Sequence, residues 1–115
     1  MASVSDEVLD ALGDRTRRAI LEKLRAGPLA VVDIARGLAV GRPAVSQHLK
    51  ILKRAGLVAD HAAGTRRIYR VDPTGLAALE DYARSFWSSA LARYREAAQS
   101  GADPRPAGPG GAGGG

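Results

Sequence analysis

The sequence predicts a small, mainly α domain that carries one small β-hairpin. Three observations lead there: apolar residues recur at helical spacing in five separate stretches, the period shortens towards two only between residues 57 and 71, and the chain closes on a segment that can bury almost nothing. At 115 residues it supports one compact domain with a modest core. Residues 1–99 are expected to form that domain. Residues 100–115, which end in GADPRPAGPGGAGGG, are expected to be disordered, because Gly, Pro and Ala bury too little to offset the entropy of ordering.

Val4, Val8 and Leu12 space out as one face of a short first helix, with Leu9 beside them and Gly13 closing it. Asp14 then offers a side-chain oxygen to cap a second helix, which carries Ile20, Leu21 and Leu24 inward and stops at Ala26-Gly27-Pro28. Arg15, Arg17 and Arg18 on that helix are expected to pair with Asp14 and Glu22, the alternative being a phosphate. A third helix over residues 31–38 presents Val31, Ile34, Ala35 and Leu38. Three or four residues later a fourth begins at Gly41 or Arg42 and runs to Arg54, with Val45, Leu49 and Leu52 inward. Pro43 fits only the first turn of that helix, where its missing N–H has no intrahelical partner anyway, and Ala55-Gly56 ends it. Two helices joined by so short a connection, with Ala39 and Val40 inside it, fit a helix-turn-helix corner.

Residues 57–61 and 66–71, separated by Ala62-Ala63-Gly64-Thr65, read as a hairpin with a basic tip. Appended to a helix-turn-helix, such a hairpin is a wing, and the whole is a winged helix-turn-helix of five helices plus wing. Ile68 and Tyr69 are expected to pack or pair across strands rather than stack on bases. Asp72-Pro73-Thr74 opens the last helix, whose apolar positions run from Leu76 through Leu79, Ala83, Phe86, Ala90 and Leu91, flanked by Tyr82, Trp87 and Tyr94. Some two dozen helical residues extend about 36 Å at about 1.5 Å each. A domain this small cannot cover that length. The surplus is expected to pack, with the first helix, against a second copy of the chain, giving a dimer interface of Val4, Val8, Leu12, Leu76, Leu79, Ala83, Phe86, Trp87, Ala90, Leu91 and Tyr94. The competing arrangement folds the helix back on its own domain.

Charge points to the partner. Residues 42–70 hold seven cations (Arg42, Lys50, Lys53, Arg54, Arg66, Arg67, Arg70) and one anion, Asp60, while the rest holds ten cations and eleven anions. Concentrated positive charge beside a helix-turn-helix is what phosphate binding requires, although a basic run can also be no more than a solvated face. The polar side of the fourth helix sets short amide and hydroxyl groups among cations and carries no carboxylate, which suits base edges between phosphates. Double-stranded DNA is therefore the expected partner, contacted by Arg42, Ser46, Gln47, His48, Lys50, Lys53 and Arg54 on the helix and by Arg66 and Arg67 on the wing, which would reach the backbone or the minor groove. Arg42 suits guanine and Gln47 suits adenine. For His48 a packing contact is the alternative.

Several classes drop out. There is no cysteine, hence no disulfide, thiolate metal site or thiol switch, and the two histidines, His48 and His61, lack nearby ligand candidates. No metal and no cofactor is expected. No His or Ser stands in a known catalytic motif and little room is left for a pocket, so an enzyme is not expected. The opening MASVSDEV lacks a secretory signal and no run approaches the roughly 18 apolar residues of a membrane span, so a soluble, cytoplasmic protein is expected, with no membrane partner. No small-molecule effector can be named from the sequence. Phe86 and Trp87 at the pairing interface could receive a small apolar ligand, yet two aromatics at helical spacing are more often simple core.

From about Leu9 to Tyr94 these residues resemble the ArsR/SmtB family of winged-helix bacterial repressors. LGDRTRRAILEKL resembles its second helix, RPAVSQHLKILKRAGLV its recognition helix and exit, and GTRRIYRVDP its wing. The resemblance implies a homodimer paired through the first and last helices, which binds an imperfect inverted-repeat operator and represses by blocking the promoter. RPAVSQHLK is similar to the branch without obvious metal ligands. Where metal-sensing relatives carry a cysteine pair in the third helix, this chain has Ala30, Val31 and Val32, and its last helix holds Asp81 but no histidine. Around the helix-turn-helix corner, Ala39 and Gly41 stand where relatives often have Gly and Ser; a positive φ at Ala39 would cost about 1 kcal/mol. The reading that competes with a DNA-binding regulator is a winged helix used for protein–protein contact, which calls for apolar anchors and carboxylates on the fourth helix.

Overall fold

The computed structural model describes residues 4–101, arranged as α1 (Val4–Leu12), α2 (Arg15–Arg25), β1 (Leu29–Ala30), α3 (Val31–Ala35), α4 (Arg42–Arg54), β2 (Val58–Ala63), β3 (Arg66–Val71) and α5 (Pro73–Gln99). The side chain of Val4 and the Gly/Pro-rich residues 102–115 lie outside the described residues. Of the described residues, those from 4 to 81 make one compact unit, and those from 82 to 101 a second.

The first unit is built on one apolar cluster. Val8, Ile20, Ile34, Val45, Leu49, Leu52, Leu57 and Val58 are fully buried in it. The inward residues of α2, α3 and α4 are those their helical spacing selects, so the helix-turn-helix shares a single core. Val8 departs from expectation. It was assigned to a pairing surface, yet α1 lies against α2 and α4 and leaves it no exposed area.

Helix ends account for much of the local order. Asp14 caps α2 by accepting from the Arg17 backbone N–H at 3.0 Å. The Arg17 and Arg18 guanidiniums do not pair with Asp14 and Glu22. They donate instead to the final carbonyls of α1, Arg17 Nε to Ala11 at 2.7 Å and Arg18 Nη1 to Leu12 at 2.6 Å, where a helix C-terminus leaves acceptors without intrahelical partners. Glu22 pairs with Arg25.

α3 stops at Ala35, three residues short of the expected end, because Gly37 takes φ +86 and begins the corner. Lys23 Nζ donates to the Arg36 carbonyl at 2.5 Å and holds that corner to α2. Ala39 escapes strain, since every non-glycine φ among the described residues is negative. Gly41 is the extended N-cap of α4 and Pro43 lies in its first turn.

The β-structure is larger than a hairpin. β2 and β3 pair antiparallel from Val58↔Val71 to Ala63↔Arg66, so the turn is only Gly64-Thr65, and Gly64 at φ +65 with Thr65 negative is the pattern of a type II′ turn. On the far side of β3 the two residues of β1 add a third strand, Leu29↔Tyr69 and Ala30↔Ile68. Two residues carry no period, which is why the sequence pattern passes them over. Tyr69 packs on the core, as expected of it.

α5 opens with Asp72 accepting from the Thr74 backbone N–H at 3.0 Å. One turn in, Gly75 lies against the exit of α4: its N–H donates to the Gly56 carbonyl at 2.7 Å, and a β-carbon there would stand 2.7 Å from the Ala55 carbonyl oxygen. Among the described residues, no helix is long and apolar enough to cross a membrane.

Candidate nucleic-acid interface

Turning Val45, Leu49 and Leu52 inward obliges α4 to turn Gln47, Lys50, Ile51 and Arg54 outward, and all four are exposed, as are Arg42 and Lys53 on the flank at its two ends. Ser46 is half-buried beside them, next to Val31, Arg42 and Pro43 at the corner with α3. The surface so made sets donors, and one amide that both donates and accepts, around the exposed Ile51, and it contains no carboxylate. Among the described residues no ion pair engages Arg42, Lys50 or Arg54.

His48 lies apart from that surface. It is half-buried on the flank towards α2, with Nδ1 3.4 Å from Arg17 Nη1. Arg17 thereby ties the C-terminus of α1 to the middle of α4.

The remaining predicted contacts are exposed but paired. Lys53 Nζ stands 2.8 Å from Asp60 Oδ1, Arg67 Nη1 3.0 Å from Asp60 Oδ2, and Arg66 Nη2 2.8 Å from Asp33 Oδ2. Asp60 and Arg67 are diagonal neighbours on one face of the β2–β3 ladder, and Lys53 comes to them from the last turn of α4. The Lys53 ammonium, and after it the Arg67 guanidinium, hold the Asp60 carboxyl below the usual carboxylate range. Asp14 is lowered by the Arg17 backbone N–H foremost, and Asp72 by that of Thr74. On the outer face of the wing Arg70 Nη1 lies 3.3 Å from His61 Nδ1.

Sequence reasoning missed the part played by the two carboxylates. Asp60 carried a signal, being the single anion of residues 42–70 and standing seven residues from both Lys53 and Arg67. Asp33 carried none, because its approach to Arg66 depends on β1 docking β3 beside the start of α3.

The residues assigned to a pairing surface are distributed unevenly. Leu12 and Leu76 line one apolar groove with Leu21, Leu24 and Val71, while Leu79 is partly buried against the core. Within the second unit Phe86 is 71% exposed and Trp87 62%, Tyr94 and Ala83 are exposed, and Ala90 and Leu91 are half-buried. Among the described residues no three His, Asp or Glu side chains gather as a metal ion would need.

Known proteins place this arrangement. Residues 14–60, from the cap of α2 to the start of the wing, match the family model described as bacterial regulatory protein, arsR family. The chain is 59% identical over 91 residues to the HTH-type transcriptional regulator Rv2034 of Mycobacterium tuberculosis, covering 79% of this chain and 85% of that protein. It is 38% identical over 71 residues to the transcriptional repressor SdpR of Bacillus subtilis, covering 62% and 79%. The solution structure of a homodimeric winged helix-turn-helix DNA-binding domain, Mb0332 of Mycobacterium bovis, superposes with a TM-score of 0.58 at 32% identity, covering 74% of this chain and 79% of that one. The family is one of transcriptional regulators rather than enzymes. The chain belongs to the ArsR family of bacterial regulatory proteins, as a winged helix-turn-helix, DNA-binding transcriptional regulator.

Proposed function

We propose that the protein is a homodimeric repressor that reads an imperfect inverted repeat in double-stranded DNA and acts by occupying the promoter. The observation that carries the reading is the outward face of α4, where Arg42, Gln47, Lys50 and Arg54 stand exposed with no carboxylate among them. Arg42 is suited to the O6 and N7 acceptors of guanine and Gln47 to the donor and acceptor edge of adenine, while Lys50 and Arg54 serve bases or flanking phosphates. Lys53, Arg66 and Arg67 serve the backbone beside the site. That face, with no carboxylate and Ile51 as its single exposed large apolar side chain, disfavours the protein–protein reading, which needs a cluster of apolar anchors at its centre.

Dimerisation is supported by the apolar groove at Leu12 and Leu76 in the first unit and, separately, by the exposed Phe86 and Trp87 in the second, since exposed apolar surface of this kind calls for a partner. The homodimeric relative adds weight. Repression is supported by the relative that bears that name. We propose further that no transition metal controls the switch: the chain has no cysteine, and His48 and His61 lie on α4 and β2 with arginine neighbours.

Selection from a random duplex library with the purified protein tests the reading. Recovery of an inverted repeat whose half-sites lie about 34 Å apart, one helical turn, or a multiple of it, is expected. Enrichment of no motif, together with capture of DNA in proportion to its length alone, would falsify it. Calorimetry with zinc should show no submicromolar binding that lowers DNA affinity.

A further inference from the structure

Half of the cations that this interface would bring to DNA are already engaged with carboxylates. Asp60 accepts Lys53 on one oxygen and Arg67 on the other, and its side chain is only 5% exposed between them. Asp33 accepts Arg66 on one oxygen, and its other lies 3.5 Å from Arg36 Nη1. Among the described residues, Lys53 near the exit of α4 and Arg66 and Arg67 on the wing are paired with carboxylates, and Arg42, Lys50 and Arg54 on α4 are not.

A carboxylate oxygen and a phosphate oxygen offer a cation the same chemistry. A paired cation reaches a phosphate only by leaving or sharing its carboxylate, so DNA gains from it the difference between two similar interactions. We propose that Asp33 and Asp60 are specificity-determining residues, internal stand-ins for DNA phosphates that discharge the rim of the interface and so suppress adhesion to duplexes of arbitrary sequence. The proposal rests on the DNA-binding reading above. Non-specific binding is supplied almost wholly by cations meeting phosphates, so it bears the loss in full. Specific binding keeps its base contacts through the unpaired face of α4. Asp60 also bridges α4 to β3, which fixes where the wing stands when the helix is in its groove.

Asp33→Asn and Asp60→Asn, made separately in the full chain, test this by fluorescence anisotropy over a salt series. The probes are a random-sequence duplex and the best duplex selected with the wild-type protein. Each variant is expected to bind the random duplex about two- to fivefold more tightly, the scale of one exposed ion pair. The slope of log affinity against log salt should steepen by about one for Asp33→Asn, which frees Arg66, and by about two for Asp60→Asn, which frees Lys53 and Arg67, and the ratio of specific to non-specific affinity should fall. Glu22→Gln removes the same charge from the Arg25 pair on α2 and should change neither slope nor ratio. The two carboxylates sit in separate pairs, so one folded variant decides the matter. An unchanged or weaker affinity for the random duplex, at an unchanged slope, overturns the proposal and leaves the DNA-binding reading standing; a wild-type chain that binds neither duplex overturns both.

Discussion

At the scale of single residues, this protein places its carboxylates where cations or backbone donors are short of partners. Asp14 and Asp72 accept from helix N-termini, and Asp60 accepts from Lys53 and Arg67. All three are held below the usual carboxylate range, so each contributes stability that is present above the unfolded value of about 3.9 and is lost as pH falls through its lower folded value. The melting temperature of the wild type should therefore be nearly flat from pH 7 to about 5 and drop below about pH 4. In Asp60→Asn it should start lower at neutral pH and fall less steeply in the acid window. Parallel curves for the two proteins in circular-dichroism melts would show that Asp60 does not contribute through its charge. The cap at Asp14 was legible from its place before an apolar-periodic run. The pairing of Asp33 was not, because salt bridges across 33 residues depend on topology that a local pattern does not contain.

At the scale of elements, long periodic helices were legible and short or corner-dependent ones were not. α2, α4 and α5 carry enough turns for a stripe to stand out, and Val45, Leu49 and Leu52 are buried as their spacing requires. β1 is two residues long and exists because β3 offers it an edge, while the end of α3 is set by the positive φ of Gly37 rather than by the apolar Leu38. Sequence likewise gave no hint that Gly75 must be small, since its reason lies twenty residues back in the chain at Ala55. Gly75→Ala adds a β-carbon 2.7 Å and 2.8 Å from the carbonyl oxygens of Ala55 and Gly56, backbone atoms that cannot swing aside. Overpacking of this kind costs typically about 1–3 kcal/mol, against about 1 kcal/mol returned by helix propensity. A net loss of up to about 2 kcal/mol in urea unfolding is expected. Gly64→Ala meets nothing within 4 Å, so only its φ of +65 opposes the change. It should cost about 1–2 kcal/mol.

An inverted-repeat operator sets the whole molecule two requirements, a reading helix and a second copy to supply the other half-site. Phe86 and Trp87 stand exposed on α5, and burying one such ring is worth about 1.5–3 kcal/mol. Phe86→Asp should therefore lower the mass seen by light scattering at micromolar concentration from two chains to one, with the helical content unchanged. A wild type that is itself monomeric there would remove the basis for paired half-sites. The claim on which everything else depends is that α4 reads bases and the wing anchors. Its most direct measurement is selection from a random duplex library carried out in parallel with wild type, Gln47→Ala and the double variant Arg66→Ala with Arg67→Ala. Gln47 lies on the exposed face of α4, and losing a two-point contact to one base costs about 1–3 kcal/mol at that base alone. The motif recovered with Gln47→Ala should relax at one base pair in each half-site and persist elsewhere, whereas the wing variant should recover the wild-type motif at lower affinity. A motif untouched by Gln47→Ala but altered by the wing variant would contradict the account.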